Sequence, residues 1–320
     1  MSFQLKCLIL GAVPFLILTV FQTSKSQSVE PKVSQPASRV RLTVTVTSSK
    51  RFVTELNQEN FEVWVDKDPA KILNFSNQEV PVSLGVLYDA SASAGSFATK
   101  KQSGNLSLIQ KALVRFFELS NPANDYFLVG FNIKPQLLVD WTSDTASIVD
   151  NLGVVKPSGN TALYDACYVA IDKLQQGRYP KRVLLLISDG QDNTSRFTFE
   201  QLRELLRESG ILLYTVHLQS SAQDAGSSLG MEGEAFMYEL TATSGGYSFS
   251  GKIFRRQRDA DEIFETIANE LRNQLSLEIE PRGVTSGKKW HKIKVKLTSL
   301  PQDPALKNLT LRTRAGYYVN

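Results

Sequence analysis

Ser83-Leu-Gly-Val-Leu-Tyr88, followed at once by Asp89-Ala-Ser-Ala-Ser93, is the stretch on which the fold turns. The first six residues are apolar or small without alternation, the mark of a strand buried on both faces. The polar run behind it then falls at the carboxyl end of that strand, the edge at which open α/β sheets bind ligands.

Runs of the same kind recur at 126–131, 182–187 and 211–217, with helix-like segments between them. The segment 106–119 places Ile109, Ala112, Leu113, Phe116 and Phe117 on one face at three- and four-residue spacing. Further helices read at 145–152, 162–174 and 260–274, and Thr198-Phe-Glu-Gln201 has the spacing of a capping box that opens another, ending at Gly210. Residues 136–141 read as an antiparallel neighbour of 126–131, and Tyr247-Ser-Phe as a short last strand. The Ser-, Gly- and Ala-rich residues 219–233 read as a mobile loop. The fold class is therefore α/β: a doubly wound, mostly parallel sheet with helices on both faces.

The flanks differ. Val40-Arg-Leu-Thr-Val-Thr-Val-Thr47 alternates as a half-buried strand does, and 61–66 and 71–75 continue the β character. Strands return at 275–279, 291–297 and 309–313. Neither flank alone has enough strands to bury a core, so the two are expected to form one small β-sandwich from which the α/β domain emerges. The organisation reads as a signal peptide at 1–28, a linker at 29–37, an N-terminal β segment at 38–80, the α/β domain at 81–273 and a C-terminal β segment at 274–320.

The signal peptide rests on Lys6, a mostly apolar run from Cys7 to Phe21, and the small polar residues that follow, with cleavage near Ser26 to Ser28. No later stretch approaches the roughly 18 consecutive apolar residues of a membrane span. The expectation is an exported protein, secreted or periplasmic. Cleavage removes Cys7, leaving Cys167 with no internal disulfide partner and the role of a small buried hydrophobe. It also lowers the formal charge from +4 by two lysines, which gives no case for nucleic-acid binding. The basic residues concentrate after Pro281. There Lys292, Lys294 and Lys296 alternate with Ile293, Val295 and Leu297 as the solvated face of a strand. A weak contact of these strands with anionic envelope components is a secondary reading.

Asp89-x-Ser91-x-Ser93 is weak by itself, because such common residues fall into that spacing by chance. Its weight comes from Gly159-Asn-Thr161 opening a helix and Ile187-Ser-Asp189-Gly ending another buried strand. Hydroxyls and carboxylates thus converge from three loops on one edge, a hard-oxygen set suited to Mg2+ or Mn2+. The plainer reading of Asp89 and Asp189 is as caps of the turns after their strands. Asp165 and Asp192 read as helix-surface and loop residues, and Asn160 as a residue that could orient Thr161. His217 reads as a core residue and His291 as the start of an exposed strand, neither spaced for zinc or a catalytic triad. No general base is placed beside the serines and no phosphate-binding glycine loop is present, so an enzyme is not expected. Sequons beginning at Asn74, Asn105, Asn193 and Asn308 read as chance.

Asp-x-Ser-x-Ser, a later Thr and a later Ser/Thr-Asp-Gly, in that order, resemble the metal-ion-dependent adhesion site of von Willebrand factor type A domains. The resemblance implies that Ser91 and Ser93 coordinate the metal by their hydroxyls. It further implies that Asp89 and Asp189 act mostly through water, and that Thr161 coordinates directly in the ligand-competent state. The flanks, Arg51-Phe-Val-Thr-Glu-Leu-Asn-Gln-Glu-Asn-Phe-Glu-Val, His291-Lys-Ile-Lys-Val-Lys and Arg312-Thr-Arg-Ala-Gly-Tyr-Tyr, resemble a bacterial, acidobacterial-type group of such proteins. What this implies is a binding module whose metal captures an Asp or Glu carboxylate of a partner protein, in some members with movement of the last helix. The other reading is a structural or assembly subunit of an envelope complex, in which the metal only stabilises loops.

Overall fold

The alternating run near the start of the chain forms strand β1, Val40–Ser48, whose inward residues Leu42, Val44 and Val46 are fully buried. The computed structural model describes residues 39–49, 51–92, 103–218, 228–249, 256–283, 287–298 and 308–319. The apolar run at 7–21, the expected cleavage region and Ser93 lie outside the described residues. Among those described, no helix is long and apolar enough to cross a membrane.

After β1 come β2 (Arg51–Phe52), β3 (Phe61–Val65) and β4 (Asp68–Ser76). The C-terminal flank supplies β11 (Leu275–Glu280), β12 (Gly287–Leu297), β13 (Leu309–Arg312) and β14 (Gly316–Val319). All eight belong to one hydrogen-bonded sheet, ordered β13-β1-β11-β4-β3-β12-β14 with β2 on β1. The N- and C-terminal flanks do interleave, β11 lying between β1 and β4. Hydrogen bonding follows a single continuous path, not two stacked sheets. Its end strands β13 and β14 are joined by three residues, 313–315, so the sheet is curled on itself around Leu42, Val44, Val63, Leu277 and Ile279.

Between β4 and β11 lies the α/β unit. It comprises β5 (Ser83–Asp89), α1 (Ser103–Leu119), β6 (Asp125–Phe131), β7 (Pro135–Thr142), α2 (Thr145–Asn151) and α3 (Leu163–Gln175). There follow β8 (Arg182–Ser188), α4 (Phe199–Ser209), β9 (Leu212–His217), α5 (Ser228–Ser244), β10 (Tyr247–Phe249) and α6 (Gln257–Arg272). The strands order as β10-β9-β8-β5-β6-β7, parallel except for antiparallel β7 at one edge. Every residue of central β5 is buried, as its unalternating sequence requires. One face packs Val86, Leu128 and Tyr214 against Leu113 and Phe116 of α1 and Phe264 and Ile267 of α6. The other packs Leu87, Phe127 and Leu186 against Ala166 and Ala170 of α3, Leu202 of α4 and Met237 of α5. Gly85 admits the Phe127 ring, whose Cζ lies 2.3 Å from where a Cβ would sit.

Two further expectations need correction. Of the stretch 219–233 read as loop, 219–227 lie outside the described residues and 228–233 are the opening turns of α5, where Gly233 lets its backbone approach that of Asp189 and Gly190. His291 does not start an exposed strand. It is 4% exposed in the middle of β12, with Nδ1 2.8 Å from Asp66 Oδ2.

Candidate metal centre

β5 and β8 are parallel neighbours in register, Tyr88 opposite Ile187, so the segments that carry Asp89 and Asp189 leave the sheet side by side. Asp89 is 1% exposed and both its oxygens are held: the Ser91 amide donates to Oδ1 at 2.9 Å and Ser188 Oγ to Oδ2 at 2.5 Å. Ser188 Oγ in turn accepts from the Gly190 amide at 3.0 Å. Asp189 Oδ1 accepts from the Gln191 amide at 3.0 Å. Both acids thus organise the turns after their strands, as the plainer reading proposed, and that role also fixes their direction.

Thr161, 1% exposed, stands just before α3. Its amide donates to Asn193 Oδ1 at 2.9 Å, and its carbonyl accepts from the Asn193 amide at 3.0 Å and the Thr194 amide at 3.2 Å. The orienting residue is therefore Asn193, from the β8–α4 loop, where the sequence pointed to Asn160. The first loop is tied to the second by Ala92 N to Gly159 O at 3.0 Å and Ser158 N to Ala90 O at 3.1 Å. All three loops are cross-linked through their backbones at one edge. Asp89, Ser91, Thr161 and Asp189 are the expected residues brought there, and Ser91 is fully buried.

Behind the loops, His217 at the end of β9 places Nε2 2.9 Å from the Asp189 carbonyl oxygen, so Nε2 carries the proton. Burial holds its pKa below the ordinary value. Asp192 accepts from the Tyr164 amide and from Ser195, while Asp165 accepts from the Arg196 and Phe197 amides and pairs with the Arg196 guanidinium at 3.0 Å. Those two acids are accordingly occupied in holding α3 to the β8–α4 loop. Cys167 is buried in α3, and burial pushes its thiol pKa well up.

The electrostatics of the edge turn on two acids. Burial, then the neighbouring charge of Asp189, push the Asp89 carboxyl up to about 7, against the lowering effect of Ser188 and Ser91. Among the described residues no group of three or more His, Cys, Asp or Glu gathers as a metal cluster. The donor set is two acids with hydroxyls, and a divalent cation fits it by offsetting both the burial of the Asp89 carboxylate and its repulsion by Asp189.

Residues 85–191 match the von Willebrand factor type A domain family. The chain carries a von Willebrand factor type A domain. The matched stretch, 85–191, runs from β5 through the Asp189 turn and so contains all five residues of the sequence motif. No curated protein matches the chain. Among solved structures it is similar to the vWF domain of the type V pili tip protein Mfa5 from Porphyromonas gingivalis, at 14% identity over 65% of this chain and 99% of that one, TM-score 0.46. It is also similar to the conserved hypothetical protein BatB from Bacteroides thetaiotaomicron, at 14% identity over 59% of this chain and 98% of that one, TM-score 0.45. A third is the PilB minor pilin from Streptococcus sanguinis, at 12% identity over 62% of this chain, TM-score 0.47; the match spans 63% of that pilin's length. In this von Willebrand factor type A domain the convergence of Asp89, Ser91, Thr161 and Asp189 on one edge was legible in sequence. Ser188, Asn193 and His217, which hold them, were not assigned that role, although Ser188 falls within the Ser-Asp-Gly signal itself.

Proposed function

We propose that the chain is an exported, non-enzymatic binding module that captures an Asp or Glu carboxylate of a partner protein at a Mg2+ or Mn2+ ion held by Asp89, Ser91, Ser93, Thr161 and Asp189. The observation that carries this reading is the pair of buried like charges, Asp89 and Asp189, at an edge otherwise furnished with hydroxyls. When bound, the ion supplies a positive centre with coordination positions left for an outside oxygen. The chain's own part is to hold the donors still. Ser188 and the Ser91 amide fix the two oxygens of Asp89, Asn193 fixes the backbone of Thr161, and His217 fixes the carbonyl of Asp189. Ile133, 58% exposed and packed beside Gly159, adds apolar surface at the rim that a protein partner would cover.

Titration of Mg2+ and Mn2+ into the protein, with capture of partners from a native envelope extract, tests this. Asp89→Ala and Asp189→Ala are expected to abolish both metal uptake and capture. Partner capture that persists unchanged in chelator refutes it.

The second reading, an assembly subunit of an envelope complex, is favoured by the exposed row Lys292, Lys294 and Lys296 on β12. It requires capture to survive chelation and to fall in the Lys292→Gln, Lys294→Gln double variant.

A further inference from the structure

The ends of α4 and β14 meet the start of β1 at a second recess. By the topology of the sheet, α4 leaves the metal edge and finishes at the opposite one, where β9 begins. There a cleft of about 320 Å³ is lined by Arg39, Arg41, Arg207 and Arg314, by Tyr317 and Tyr318, and by one acid, Glu208. Four guanidinium groups against one carboxylate leave a cationic lining.

Arg314 is the group that makes this a site. Burial pushes its pKa down to about 10, and its Nε is buried with no hydrogen-bond partner among the described residues. Its guanidinium lies over the Tyr317 ring, 5.7 Å from the centroid. Two residues earlier in the chain, Arg312 shows the usual solution: its guanidinium meets the Glu270 carboxylate at 2.5 Å. Among the described residues Arg314 has no such counter-charge, and an unpaired cation with most of its side chain out of water is costly. Two more buried donors at the same cleft have no partner among the described residues, Arg207 Nε and Tyr317 Oη, although Arg207 Nη1 reaches Glu204 at 2.6 Å. At the rim, Arg39 lies 3.7 Å from Glu278, and Arg41 is exposed with no ion pair among the described residues.

Guanidinium forks match the oxygens of carboxylates and phosphates. With Arg207 shared by Glu204 and Arg39 beside Glu278, the forks left for an outside anion are chiefly those of Arg314 and Arg41, and two such forks suit an anion with oxygens on several sides better than a single carboxylate; the volume is at the lower end of the range for small-ligand clefts. We propose that this cleft binds a phosphate-class oxyanion, with Arg207 and Arg314 as its inner donors and Arg39 and Arg41 at its mouth. The anion comes either as a free phosphoanion or as the headgroup of an anionic lipid.

The test is calorimetric titration of inorganic pyrophosphate into the full chain in chelator, which silences the metal edge. Saturable binding is expected, weakened about ten-fold or more by Arg41→Gln and by Arg314→Gln, and unaltered by Asp189→Ala. Arg41 is exposed, so its variant reads binding even if the Arg314 variant misfolds. Flotation with phosphatidylglycerol and phosphatidylcholine vesicles separates the two sources. Retention on the anionic vesicles that pyrophosphate competes away identifies a headgroup, and pyrophosphate binding without retention identifies a free phosphoanion. The proposal is overturned if pyrophosphate does not bind, if Arg41→Gln binds it as well as the parent, or if vesicle retention resists pyrophosphate. Failure at this cleft leaves the metal-site reading untouched, since the titration excludes the metal.

Discussion

Gly190 joins Asp189 to the rest of its loop at φ 77°, and a Cβ there would fall 2.5 Å from the carbonyl oxygen of Gly233 at the start of α5. Both the left-handed backbone and the close approach demand glycine. Gly190→Ala is expected to cost at least about 1–2 kcal/mol of stability from the backbone alone. It should also weaken Mg2+ binding, because the contact shifts Asp189; calorimetry and thermal unfolding on one preparation check both. Asn193→Ala leaves every proposed metal donor in place but removes the bond that positions Thr161. A fall in metal affinity of about ten-fold or more is expected, as is usual when a partner of a ligating residue is lost, with little change in melting temperature. The motif residues could be read because strand, turn and oxygen donors are consecutive. Asn193 could not, because its bond joins residues 32 apart and leaves no periodic trace. His217 was legible only as a buried residue in an apolar strand, since what it supports is a backbone carbonyl.

At the scale of elements, α6 is fastened to the β sheet by a polar cluster around Glu270, which is 2% exposed. Its Oε1 accepts from Thr45 of β1 at 3.0 Å and Tyr214 of β9 at 2.6 Å, while Oε2 meets Arg312 of β13. Gln274 Nε2 completes the cluster, donating to Tyr214 Oη at 2.9 Å and Thr45 Oγ1 at 3.2 Å. Glu270→Ala strands the Arg312 charge and is expected to cost about 3–5 kcal/mol, read by denaturant unfolding. Lys181 closes the same region, its Nζ donating to the Leu271 carbonyl at the end of α6 at 2.6 Å. Burial lowers its pKa from 10.5 to about 8, against the opposing charges of Glu270 and Glu79. Between those values the unfolded chain keeps a proton that the folded chain has released, so this group's contribution to stability rises with pH across that window. The melting temperature of the parent should therefore climb relative to Lys181→Met between pH 8 and pH 10; a constant difference would sink the assignment. Helices with a clean apolar stripe, such as α1, or a capping box, such as α4, were legible in the sequence. α5 was not: Gly230 and Gly233 argue against a helix by roughly 1 kcal/mol each. Its apolar residues Met231, Phe236, Met237, Tyr238 and Leu240 form no single stripe. The contact of Gly233 with Gly190 outweighed that local preference, and no local signal reports it.

For the whole molecule, the decisive relation is that the α/β unit is inserted between two paired strands. The chain leaves the sheet at the end of β4 and returns at the start of β11, and Ser76 faces Ser276 across that pair. Truncation after Gln274 therefore removes β11 from between β1 and β4 and β12 from beside β3. Limited proteolysis is expected to find residues 38–80 of such a truncation fully degraded, so deletion of the C-terminal strands cannot serve as a probe of binding alone. The order β, α/β, β announced this insertion in the sequence, because two incomplete β pieces need one another. The curling of one continuous sheet was hidden, since it rests on how β13 and β14 pair at its two ends.

The same insertion has a mechanical meaning. Any tension that reaches the inserted unit from a partner held at its edge passes into the sheet through β4 and β11 together, at the same end of both. Each strand has an outer antiparallel neighbour, β3 for β4 and β1 for β11. The component of the pull along the strands crosses their hydrogen bonds at right angles, so the bonds share the strain instead of parting in turn. The proposed binding edge is moored by two lines side by side, and a tug on it is divided between them before either gives way.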